Sequence, residues 1–145
     1  MTSAKPIYVL NGPNLNRLGR REPDIYGKVT LAEIEARCRS TAGNRAIEFR
    51  QTNSESQLID WIHEAIDQGS GIIIKPAAYS FTSIAILDAL KMFTGPIVDI
   101  HRREEHYHDS YVSKIATAVI AGLGPDGYMV VTRAIVEMID RNATT

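Results

Sequence analysis

The sequence predicts an α/β protein: a parallel β-sheet with helices packed on both of its faces. Three observations carry that prediction. Short apolar runs alternate with amphipathic stretches along the whole chain. The runs have the length of strands rather than of helices. Helix-start signals fall between them, as they do where crossover helices join parallel strands.

Residues 7–10 (IYVL) are uninterruptedly apolar, as a strand buried on both faces requires. A long loop rich in Gly, Pro, Asn and Arg follows, NGPNLNRLGRREPDIYG. At Thr30 the pattern T-x-x-E, reaching Glu33, is a capping box, and Leu31, Ile34 and Cys38 share the apolar face of the helix it opens. Residues 46–51 (AIEFRQ) alternate as a half-buried strand does. SESQLIDWIHEAID is helical, with Leu58, Ile62 and Ile66 at i, i+4 and i+8, and residues 71–75 (GIIIK) form a fully buried strand. A helix over residues 83–92 and a fourth strand at 95–100 (GPIVDI) come next. The later part of IATAVIAGLG reads as a fifth strand, and PDGYMVVTRAIVEMID as a closing helix with Pro125 near its first turn.

At 145 residues the chain is expected to form one domain. Its formal net charge of -1 offers no cationic footprint for nucleic acid or an anionic membrane, so small molecules and protein partners are the expected ligands. The single cysteine, Cys38, has no internal partner, and MTSAKP leads into a strand without a signal-peptide apolar region. No apolar run approaches the ~18 residues of a membrane span. A cytoplasmic protein is the expectation. Neither G-x-G-x-x-G nor G-x-x-x-x-G-K-S/T occurs, and the glycines of TGPIV and GLGPDG read as turn chemistry.

In a parallel sheet ligands bind beyond the carboxyl ends of the strands. Four segments should therefore converge: the first loop, residues 52–56, residues 75–83, and the loop VDIHRREEHYHDSY at 98–111. In the first loop Arg20 and Arg21 shortly precede Tyr26. An ordinary tyrosine, with a pKa of about 10, is a poor base at neutral pH, but a guanidinium within ~4–6 Å favours the phenolate and makes it useful for taking a proton from carbon.

LNGPNLNRLGRREPDIYG resembles the opening motif of type II dehydroquinases (3-dehydroquinate dehydratases). FRQTNSESQLIDWIHEAID, IIIKPAAYSFTSIAILDALK, REEHYHDSYVSKIA and GLGPDGYMVVTRAI continue the similarity in order, over nearly the whole chain. The resemblance implies a flavodoxin-like three-layer fold with a five-stranded parallel sheet in the order 2-1-3-4-5. It also implies trimers assembling to a dodecamer, and dehydration of 3-dehydroquinate to 3-dehydroshikimate through an enolate, without cofactor or metal. The family's tyrosinate base and its activating arginine match Tyr26 and Arg21. Asn14 matches an asparagine that helps position the base region, and Glu22 the glutamate beside the arginine. Asp88 resembles an aspartate that the family presents to a neighbouring subunit's site, although on a helix it also reads as a solvated position.

Departures from the family pattern are as informative. In KPAAYSFTS, Lys75 stands where the family has an Asn that helps stabilise the enolate, and Phe81 where it has a ligand-contacting His. DIHRREEHYHDSY is about five residues shorter than the family's segment and lacks its Ser-Asn pair for the substrate carboxylate. Arg103 fits the first arginine of the motif, but Tyr107 replaces the second. His101 aligns in two ways, with the family's general acid or with a later loop histidine. A residue at the end of a sheet-fixed strand should stay at the crevice when the loop shortens, which favours the acid.

Lys75 reads as an ordinary ion-pairing lysine, as a carboxylate-binding cation, or as an amine able to form a Schiff base when burial lowers its pKa. The H-x4-H-x-H pattern of His101, His106 and His108 contains metal-ligand types. Arg102 and Arg103 oppose a divalent cation there, and no H-E-x-x-H spacing places the histidines on one helical face. No metal is expected, and His63, on a helix, reads as structural. Two functions follow: a cofactor-free lyase acting on a cyclic keto acid as a homo-oligomer, or a non-catalytic homologue that keeps fold and assembly.

Overall fold

The structure is a computed structural model that describes residues 4–102 and 109–143, apart from the side chains of Ile25, Tyr26 and Ala143. Five strands, β1 (Ile7–Asn11), β2 (Ile47–Gln51), β3 (Gly71–Lys75), β4 (Ile97–His101) and β5 (Ala118–Ala121), form one parallel sheet in the order β2-β1-β3-β4-β5. The helices are α1 (Pro23–Tyr26), α2 (Leu31–Ala42), α3 (Glu55–Gln68), α4 (Ile84–Leu90) and α5 (Gly127–Ala143). This is the flavodoxin-like order that the resemblance implies.

Burial follows position in the sheet. Every residue of β1, β3 and β4 is buried, while the edge strands β2 and β5 are mostly half-buried. Side-chain alternation divides the apolar runs between two layers. Ile73, Val98 and Ile100 pack with Ile34 and Cys38 of α2 and Val131 and Ile135 of α5. Tyr8, Ile72 and Ile74 pack on the other face with Leu58 and Ile62 of α3 and Ile86 and Leu90 of α4. Each such fully buried aliphatic side chain contributes about 1.5–3 kcal/mol.

The helices begin on hydroxyl caps. Thr30 Oγ1 accepts from the Glu33 N–H at 3.2 Å, Ser54 Oγ from Gln57 at 3.2 Å and Ser83 Oγ from Ile86 at 3.0 Å, each worth about 1 kcal/mol. Several boundaries shift by a residue or two, and Pro23–Tyr26, read as loop, forms α1; two of the differences have a plain local cause. β4 starts at Ile97 rather than residue 95, since Pro96 has no N–H for the ladder, and it runs through His101. Helix α4 is shorter than residues 83–92, because Ser83 is its cap and the chain turns after Leu90. No helix among the described residues is long and apolar enough to cross a membrane.

Candidate active site

Sheet order reverses between β1 and β3, which lie side by side with Asn11 opposite Lys75. Their carboxyl ends open a cavity of about 550 Å³. The first loop supplies Asn14 and Arg21, the segment from β3 supplies Lys75 and Phe81, and the end of β4 supplies His101 and Arg102. Three of the four expected segments therefore meet. Residues 52–56 do not line the cavity, because β2 lies one strand beyond β1 at the sheet edge. They brace it instead: Asn53 Oδ1 accepts from the Asn14 backbone N–H at 3.0 Å, and its carbonyl accepts from Tyr79 Oη at 2.7 Å. The fourth wall comes from α2 and from the turn before α5, through Ile34, Gly124 and Pro125.

The first loop is held tightly against β3. The Gly12 N–H donates to the Lys75 carbonyl at 2.9 Å, and a Cβ at Gly12 would lie 2.4 Å from the Pro76 carbonyl oxygen. Only glycine permits that approach. Around the cavity three non-glycine residues adopt positive φ: Asn14 at 70°, Glu22 at 37° and Ala77 at 54°. Such conformations cost of order 1–3 kcal/mol and persist where the surroundings impose them, which is common at functional sites. Arg21 is half-buried, with Nη2 3.7 Å from Glu22 Oε1. At that distance and exposure the pair is weak. The backbone of α1 ends at Tyr26, one residue before the cavity-lining Gly27.

His101 is the last residue of β4 and 8% exposed. Its Nε2 lies 2.7 Å from Oδ2 of Asp99, which is fully buried and two positions earlier on the same strand face. Ser113 Oγ donates to the same carboxylate oxygen at 2.7 Å, with Ser110 Oγ at 3.4 Å. A hydrogen bond to a carboxylate requires Nε2 to carry a proton, so Nδ1 is the nitrogen that can gain or give a second one. The imidazole is thus held by an acid that is itself held by serines.

Lys75 ends β3 and is 9% exposed, its Nζ 5.5 Å from the centroid of the Tyr128 ring. Burial first, and the neighbouring Arg102 charge second, lower its pKa to about 8. Tyr128 is fully buried at the start of α5; its hydroxyl donates to Asn11 Oδ1 at 2.6 Å, and burial pushes its own pKa up.

Comparison with known proteins gives this arrangement a family. A profile described as dehydroquinase class II matches residues 5–136. The 3-dehydroquinate dehydratase of Bartonella henselae is 53% identical over 143 residues, covering 94% of this chain and 97% of that protein. This chain belongs to the class II dehydroquinases. The 3-dehydroquinate dehydratase of Streptomyces avermitilis is 55% identical over 131 residues, 85% of this chain and 82% of that one. The crystal structure of the type II dehydroquinase from Propionibacterium acnes superposes with a TM-score of 0.85 at 42% identity, covering 94% of this chain and 99% of that one.

The dehydroquinase motif residues do not all have the same standing. Asn14, Arg21, Lys75, Phe81 and His101 share one cavity, with Phe81 at its rim and 42% exposed. Asp88 is exposed on α4 and does not line the cavity of its own chain. His63 is exposed on α3. Arg103, Tyr107, His106, His108 and the Tyr26 side chain lie outside the described residues. No group of three metal-ligating side chains occurs among the described residues.

Three residues of this dehydroquinase site escaped sequence reasoning. Asp99 had a legible signal, since D-x-H on a strand places both side chains on one face. Arg102 was read only as a charge opposing a metal. Tyr128 had no local signal, because its place beneath Lys75 depends on where α5 crosses the sheet.

Proposed function

We propose that this protein dehydrates 3-dehydroquinate to 3-dehydroshikimate. The observation that carries the reading is the convergence of Asn14, Arg21 and His101, from two separate elements, on one cavity in a chain of the dehydroquinase family. The reaction removes a proton from the carbon beside a ketone and a hydroxyl from the next carbon, which leaves as water. No electron is gained or lost overall, so a base and an acid suffice.

In this reading Tyr26 is the base, its phenolate favoured by the Arg21 charge, and Asn14 orders the loop that presents it. The electron pair moves into an enolate. His101, steadied by Asp99, then protonates the departing hydroxyl. Lys75 and Phe81 line the space for the ring of the cyclic keto acid, the substrate-binding roles read for Arg103 and Tyr107 fall outside the described residues, and Asp88 faces the site of a neighbouring subunit in a trimer-based dodecamer. The protein is cytoplasmic in this picture. A second reading, the same chemistry on a related cyclic keto acid, draws on Lys75, a cation where the family pattern has a neutral amide.

The test is direct assay with 3-dehydroquinate, following the conjugated enone in the ultraviolet. Turnover by the wild type, lost by roughly 10²–10⁴ in Tyr26→Phe and lowered in Arg21→Ala, is the expected result. Full activity in Tyr26→Phe would sink the mechanism. Absence of both turnover and α-proton exchange in the wild type would leave the related substrate or the non-catalytic homologue.

A further inference from the structure

We propose that the Lys75 ammonium, seated on the face of Tyr128, binds the carboxylate of a cyclic hydroxy or keto acid in this cavity, and that Tyr128 is a positioning residue for it. The identity of the ring rests on the function proposed above; the demand for an anion rests on the cavity.

Geometry comes first. Alternation along β3 sends Ile73 into the layer of α2 and α5, and Lys75, two residues later, to the same side beyond the end of that core. There the Tyr128 ring lies 5.5 Å from Nζ. That ring cannot drift. Its hydroxyl is tied to Asn11 Oδ1 at 2.6 Å, Asn11 Nδ2 donates to the Arg50 carbonyl at 3.0 Å, and Phe49 packs against it with centroids 6.4 Å apart.

Charge comes second. The described lining of the cavity contains Arg21, Lys75, His101 and Arg102 but no Asp or Glu. Lys75 forms no ion pair among the described residues. Among the described residues, the charged and titratable groups near it are Arg102 after β4, Tyr128 on α5 with Cys38 of α2 behind it, and Arg21 and His101 in the cavity lining. Asp126, beside the lining residue Pro125, is turned to Arg37 at 3.9 Å. A buried ammonium with an aromatic face on one side and cations on the other is completed by an anion.

An aromatic face also selects between two uses of the amine. Its quadrupole attracts the ammonium and does little for the neutral nucleophile, so it favours an ionic clamp over a Schiff base. The lowered pKa, about 8, supplies a signature of the clamp. A carboxylate bound to Nζ raises that pKa again, so binding takes up a proton wherever the free amine is partly neutral.

The experiment is calorimetric titration with quinate, which carries the ring carboxylate and hydroxyls but no ketone, in two buffers of different ionisation enthalpy. The wild type should take up part of a proton at pH 8 to 8.5. Lys75→Met should abolish that uptake and weaken quinate roughly ten- to hundredfold. Tyr128→Phe keeps the aromatic face and the Phe49 contact while losing the Asn11 tether, and should preserve most of both; Tyr128→Leu should lose more of both, and the Lys75 comparison stands whether or not that variant folds. Failure of quinate to bind, or uptake unchanged in Lys75→Met, overturns the clamp. So does a borohydride-stable mass increase at Lys75 with 3-dehydroquinate, which would signify an imine. The two readings separate cleanly. Proton-linked quinate binding without turnover of 3-dehydroquinate keeps the clamp and refutes the proposed reaction, whereas turnover without such binding does the reverse.

Discussion

Arg50 and Lys75 both lie over aromatic rings, yet their pKa values move in opposite directions. On β2, Arg50 has its Cζ 5.2 Å from the Tyr8 ring centroid and 5.6 Å from that of Trp61. Lys75, at the end of β3, has its Nζ 5.5 Å from Tyr128. The rings are comparable; the counterions are not. Glu64 grips Arg50 at 2.6 Å and Glu48 at 3.1 Å, and these hydrogen bonds push the guanidinium's pKa up. Lys75 has no carboxylate among the described residues, and burial pulls it down to about 8. An aromatic face alone does not replace lost hydration, whereas a carboxylate with good geometry does.

The difference separates a cluster built for stability from one built for binding. Around Arg50 the charges close on themselves: Tyr8 Oη also donates to Glu64, at 2.6 Å, which together with burial pushes the tyrosine pKa up, while the Arg50 and Tyr8 hydrogen bonds hold Glu64 below the usual carboxylate range. Around Lys75 no described carboxylate closes the balance, and the clamp proposed above gives that part to the bound acid.

The largest expected effect tests that division on rate. His101→Ala should lower turnover of 3-dehydroquinate by roughly 10²–10⁴ while α-proton exchange persists, because enolate formation does not need the acid. Arg50→Met should leave kcat/KM near the wild-type value. Comparable losses in the two variants would break the comparison.

Next in size is the stability held back by Lys75. Its folded pKa, about 8, lies below its ordinary 10.5, so below pH 8 both states are protonated and the folded state carries the full cost of the buried charge. Between about pH 8 and 10.5 the unfolded state binds more protons, and wild-type stability should rise with pH relative to Lys75→Met. The pH-dependent part amounts to as much as about 3 kcal/mol. Urea titrations across that range measure it; a difference independent of pH would mean that Lys75 is already compensated.

Smaller effects belong to the closed cluster. Arg50→Met should cost about 1–2 kcal/mol in the same titrations, since it leaves two carboxylates without their cation at a partly exposed site. A gain would show that the cluster is not stabilising. The Glu64 contribution has the opposite pH sense to that of Lys75. With a lowered folded pKa, its stabilisation is present above the ordinary carboxylate range and is lost as pH falls through the folded value. Glu64→Gln should therefore flatten the acid side of the stability profile, by a few tenths of a kcal/mol because the site is partly exposed.

Much of the architecture could be read along the chain because its causes are local. GIIIK is a buried strand in both readings, Thr30 caps its helix as expected, and the first loop carries Asn14 and Arg21 to the cavity. His101 illustrates a site residue read through geometry. A strand end is fixed by the ladder, so shortening the following loop leaves it at the crevice, where Asp99 holds it. The expectation for residues 52–56 failed for an equally physical reason. Which loops meet depends on which strands are neighbours, and β2 is an edge.

The sequence by itself determined the α/β class, the strands and the longer helices, the Thr30 cap and the chemical types at the crevice. Each of these depends on residues within a few positions of one another, through alternation, helical periodicity or a side chain bonding the next turn. Only the tertiary structure decided that Ser113 supports Asp99, that Tyr128 lies beneath Lys75, and that Arg50 finds Glu64 while Lys75 finds no described carboxylate. Burial and charge balance are sums over neighbours that are distant in sequence. They acquire values only when crossover helices bring separate strands and their ends together.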